Sequence, residues 1–133
     1  MALRNYQDES DFYTQGFEKE GYVSVWVGQN DDSGDPEELD VLQDLCGVGY
    51  YDLDNQESNH FDFKSSTIKK LIESISYSES FLSQTVSEAS NKNIKEAKWV
   101  TVQFDFAYNP KKIKRQISND PVFLGVFKYE TND

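Results

Sequence analysis

The chain has one cysteine and one histidine in 133 residues, and each scarcity removes a class of chemistry. Cys46 has no second thiol with which to close an internal disulfide. His60 and Cys46 together cannot supply the several His or Cys ligands of a zinc hydrolase. A serine nucleophile in the run from Ser74 to Ser80 would have to share that one imidazole. No apolar run approaches the roughly 20 residues needed to span a bilayer, and residues 1–20 lack the apolar stretch of a secretory signal. Reduced thiol and absent signal together lead to the expectation of a cytoplasmic protein without a membrane partner. The glycine-rich phosphate loops and the G-x-S-x-G elbow are missing as well. No enzyme class is therefore indicated, and no cofactor is expected.

The most informative absence is of positive charge. Between Lys19 and Lys64 there is no Lys or Arg, while residues 21–63 carry eleven acids, a number equal to the whole net charge of −11. From Lys64 onward eleven basic residues face eight acids. A field this one-sided repels nucleic acid and anionic lipid and attracts basic partners. The one basic cluster, 111–115 ("KKIKR"), opposes that balance, so no nucleic-acid partner is expected.

Aromatic residues are plentiful: nine Phe, eight Tyr and two Trp. Large rings bury much area each, enough for one domain to fold despite few aliphatic residues. Residues 1–20 read as a polar tail or short extension, and 21–133 as a single α+β domain. "YVSVWVG", 22–28, alternates as a strand, with Val23, Val25 and Val27 on one side and Trp26 on the other. Asp35-Pro36-Glu37-Glu38 opens a helix carrying Leu39, Leu42 and Leu45, with Gly47 able to end it. "VGYYDLD" reads as a second short strand. Two apolar stripes follow, Ile68-Leu71-Ile72-Ile75 and Phe81-Leu82-Val86-Ala89. The spacing of Ser76 and Glu79 suggests two helices with a bend near Tyr77. "WVTVQFDFAY", 99–108, places Val100, Val102, Phe104, Phe106 and Tyr108 on one face and Asp105 on the other. "VFLGVFKYE" is apolar on both faces and reads as an interior strand. The order β-α-β-α-α-β-β implies a mostly antiparallel sheet of about four strands with helices packed on one face.

"YYDLDNQESNHF", 50–61, invites a metal-site reading, since Asp52, Asp54, Glu57 and His60 lie within nine positions. A calcium loop begun at Asp52 needs Gly where Glu57 stands and Glu where Phe63 stands. The stretch fails both tests. A carboxylate-rich magnesium site, serving a divalent-metal-dependent hydrolase, stays open as an alternative. So does an acidic interaction or regulatory module.

"VSVWVG", "YDLD", "SYSESF", "FDFAY" and "FLGVFKY" together resemble the immunity protein 22 family of bacterial polymorphic toxin systems, over about residues 21–130. The resemblance implies a small bacterial α+β protein without catalysis, which binds and neutralises a cognate toxin. A nuclease toxin holds phosphates with Lys and Arg, so an acidic inhibitor could occupy that groove. Partner-contacting candidates are Asp31, Asp32, Asp35, Asp52, Asp54, Glu57 and Asp62, with Trp26, Tyr50, Tyr51 and Phe61 as aromatic anchors. Core packing is the competing reading of each ring. Neither the toxin's activity nor the oligomeric state is legible.

Overall fold

The computed structural model describes residues 16–29, 42, 46–49, 51–62, 64–113 and 121–130. Its centre is a four-stranded antiparallel sheet in the order β2-β5-β1-β6. The strands are β1 (Glu18–Gly28), β2 (Gln56–Asn59), β5 (Trp99–Phe106) and β6 (Val122–Lys128). A small ladder joins β3 (Ser66–Thr67) to β4 (Glu96–Ala97). Two helices, α1 (Ile68–Glu73) and α2 (Leu82–Asn91), complete the α+β architecture.

Alternation along β1 places Val23, Val25 and Val27 against the helices, where Val100, Val102 and Phe104 of β5 join them. Ile68, Leu71 and Ile72 of α1 and Phe81 and Ala89 beside and within α2 close this layer. Thr67 caps α1 by accepting the Lys70 N–H, which satisfies one of the orphan donors of the first turn. The helices are separate, as the sequence implies. Between them Tyr77 takes a left-handed conformation (φ 59°) and a 3-10 turn runs over Ser78–Ser80. Thr85 is also buried and returns its hydroxyl to the Phe81 carbonyl, so it serves a stripe that periodicity alone assigns to apolar residues.

The other face of the sheet is covered as well. Trp26, Phe106 and Tyr108 pack there with Phe17, Leu42, Cys46 and Val48. Phe106 and Tyr108 thus lie opposite their expected side. The cause is Asp105, whose positive φ of 56° breaks the alternation of β5. Opposite it, the β1 register jumps from Val23 paired with Phe104 to Glu18 paired with Phe106. Such an irregularity shifts every later side chain across the sheet.

Three further expectations need correction. The extended "VGYYDLD" segment holds a 3-10 turn at Leu53–Asn55, and the strand follows at Gln56–Asn59. Among the described residues β6 is an edge strand rather than an interior one; apolar side chains fill both its faces because both layers are covered. Trp26 faces away from the valines as expected but is 1% exposed, so it is a core ring and presents no surface to a partner. The helix expected from Pro36 to Leu45 lies outside the described residues apart from Leu42.

Candidate functional site

Of the acidic candidates, Asp52, Asp54, Glu57 and Asp62 fall within the described residues, while Asp31, Asp32, Asp35 and Tyr50 lie outside them. Asp52 and Asp54 are exposed around a tight turn, in which Asp52 Oδ1 accepts the Asp54 N–H at 3.0 Å. Asp62 is exposed at φ 54°, next to Phe61, which is 41% exposed. Tyr51 is half-buried against the aromatic layer under Trp26. Glu57 points to the helical side, where its Oε2 accepts the Ser76 N–H at 3.0 Å. It ties β2 to the segment after α1, so a structural duty accompanies its charge. Asn59, two residues on, does the same through its side-chain amide, which donates to the Leu71 carbonyl and to Ser74 Oγ.

Asp52, Asp54, Glu57 and His60 do not gather into a metal site. Among the described residues no group of three or more His, Cys, Asp or Glu is placed to hold an ion. Alternation along β2 explains part of this: Glu57 pairs with Val102 on the helix-covered side, whereas Asp52 reaches Gln103 on the opposite side.

Sequence reading missed a second polar region, built around Asp105. Its Oδ1 accepts two hydrogen bonds, from the Gly21 N–H at 3.0 Å and from the Tyr129 hydroxyl at 2.6 Å. Gly21 itself needs φ 85° to reach it. Burial and then the Asp105 hydrogen bond push the Tyr129 hydroxyl well above the usual tyrosine range. Tyr108 is raised too, chiefly by burial and then by Cys46, and its hydroxyl donates to the Cys46 carbonyl at 2.7 Å. Beside Asp105 opens a cavity of about 350 Å³ lined by Glu18, Lys19, Glu20, Asp52, Gln103 and Asp105 among others. A second, of about 360 Å³, is lined by Glu73, Tyr77, Glu79, Ser80 and Glu130 among others. The one available signal was a lone acid in a strand otherwise made of β-branched, aromatic and amide residues.

The fold is thus an α+β sheet protein in which, among the described residues, exposed acids gather at the surface without forming a metal-ligand group. Comparison with protein families matches residues 17–130 to Immunity protein 22, and the chain belongs to that family. No curated protein and no solved structure matches it. Membership suggests a non-enzymatic protein that neutralises a toxin partner. No helix among the described residues is long and apolar enough to cross a membrane.

Proposed function

We propose that this protein binds and neutralises a basic, nuclease-type toxin domain in the bacterial cytoplasm through an acidic surface. The observation that carries this reading is the stretch of 43 residues, 21–63, with eleven acids and no Lys or Arg, in a chain of the immunity class. Opposite fields speed encounter, and a toxin must be caught before it acts. Asp52, Asp54 and Asp62 are exposed and available for that role, with Phe61 as the apolar contact among them. Asp31, Asp32, Asp35 and Tyr50 extend the same proposed surface. Tyr51 and Glu57 contribute from its inner edge, since both also hold the fold.

The test is charge reversal that leaves the fold intact. Asp52→Lys with Asp54→Lys, sparing Glu57, is expected to slow association with the toxin encoded beside this gene by at least about tenfold at low salt. The difference should shrink as salt screens the field. Equal association rates for variant and wild type at low salt would remove this surface. A neighbouring reading frame with no toxin domain would favour an acidic interaction module instead.

A further inference from the structure

Tyr129 joins the two acidic cavities into one surface. Its hydroxyl reaches Asp105 beside the first. Its ring stacks with Tyr77 beside the second, at 5.8 Å between centroids and 30° between planes. The turn carrying Tyr77 is pinned to the end of β6, because the Glu130 N–H donates to Ser80 Oγ at 2.9 Å. The acids come from separate parts of the chain: Glu18 and Glu20, Glu73 and Glu79, Asp105 and Glu130. Among the described residues, Lys19 is the one basic residue lining either cavity. Only Asp52 belongs also to the acidic stretch discussed above.

Carboxylates alone would amount to a charged surface, but two other observations give this one the chemistry of recognition. Gln103 lines the first cavity and is 1% exposed. Its Nε2 is committed to the Asp52 carbonyl at 2.7 Å, which leaves Oε1 buried with no donor. A desolvated acceptor left empty costs about 1–3 kcal/mol, a cost that an incoming N–H would offset. Asp105 is similarly half-used, since both of its hydrogen bonds fall on Oδ1 and Oδ2 remains free to accept another. The second observation is Tyr77. Its ring is 45% exposed, yet it is held edge-on against Phe104 at 5.8 Å as well as stacked on Tyr129. A fixed, exposed aromatic ring loses little freedom on binding, and its face attracts cations.

We infer that this surface receives two basic side chains of a partner protein, arginine above all, one in each cavity on either side of the tyrosine pair. The first cavity offers Asp105 Oδ2 and Gln103 Oε1 as acceptors; a guanidinium presents several N–H donors in a rigid fork, whereas an ammonium is a point charge. The second offers the Tyr77 ring amid three glutamates, suited to a stacked planar cation. Nucleic acid is repelled here, and a second copy of this chain brings like charge to like. The inference rests on the reading that the partner is a basic protein, but it places much of the contact outside residues 21–63.

The probe is a short peptide carrying two arginines, beside the same peptide with citrulline, which keeps the shape and removes the charge. Amide NMR shifts on the full chain are expected at the Gln103 side chain, Gly21, Tyr77 and Ser80. Two variants test the site: Tyr77→Asn, which removes the ring but suits a left-handed backbone, and the combined Glu73→Gln, Glu79→Gln and Glu130→Gln. Each is expected to weaken the arginine peptide at least about fivefold, with citrulline not binding. Shifts confined to residues 51–62, equal binding of both peptides, or occupation of these residues by DNA or a second copy would overturn the inference. The toxin reading fails separately. If the neighbouring toxin is neutralised equally by wild type and both variants, the surface is wrong and immunity stands. If the peptide binds as described but no toxin is neutralised, the reverse holds.

Discussion

The two faces of the sheet differ in kind. The helix-covered face is mainly aliphatic, closed by Leu71, Ile72 and the valines, with the buried rings Phe81, Phe104 and Phe127 packed among them. The opposite face is aromatic and polar: Trp26, Phe106 and Tyr108 lie among buried Ser24, Thr101 and Gln103. Ser24 shows how polarity is accommodated there, since its hydroxyl donates to the Phe106 carbonyl and accepts the Tyr108 N–H. Gln103 is not accommodated in full. One face is thus specialised for stability. The other combines stability with a buried acceptor that has no donor, in a residue lining a cavity, which is where a binding protein would be expected to keep its unspent polar groups.

The strongest way to break this comparison is to remove one large side chain from each face. Trp26→Ala is expected to cost about 3–5 kcal/mol and Leu71→Ala about 2–5 kcal/mol in urea unfolding. If Trp26→Ala cost less than about 1 kcal/mol, the second face would not be a core, and Trp26 would return to consideration as a contact residue.

A smaller effect appears in alkali. Tyr108 and Tyr129 both have hydroxyls raised above the ordinary value, so the unfolded chain releases those protons first. Their contribution is fully present below about pH 10 and declines as pH rises from there. Replacing both by Phe should flatten the fall of stability with pH above that point, as read from thermal unfolding across a pH series. An unchanged slope would show that neither hydroxyl governs it.

The smallest expected effect is the most diagnostic. Gln103→Leu removes the donor to Asp52 together with the stranded Oε1, and stability should stay within about 1 kcal/mol of wild type. A loss well beyond that would mean Gln103 serves the fold alone and holds nothing open for a ligand.

What the sequence revealed follows the same division. Clean alternation in "VSVWVG" placed the valines correctly, and the two helices emerged from their stripes with the bend at Tyr77. Those features are local, and local periodicity reports them. The second layer was hidden because its pieces, Phe17, Leu42, Cys46 and Val48, come from separate segments that nothing local ties to the far face of the sheet. Trp26 was therefore legible only as a ring on the far side of the strand from the valines, open to either core packing or contact. The proposed acidic stretch could be read because its charges are contiguous. The cavities beside Tyr129 could not, since their acids come from positions as far apart as 18 and 130 and meet only when β1, β5 and β6 pair.

Asp105 carries a consequence for how this chain can vary. Because the alternation of β5 breaks at Asp105, the strand passes there from one layer to the other and is an adapter between two interiors, its length as constrained as its composition. Deleting Asp105 itself would leave the Gly21 N–H and the Tyr129 hydroxyl without their shared acceptor. Swapping one ring for another nearby should be far gentler. Variation in this protein is thus expected to proceed by exchange around residue 105, and not by insertion or loss.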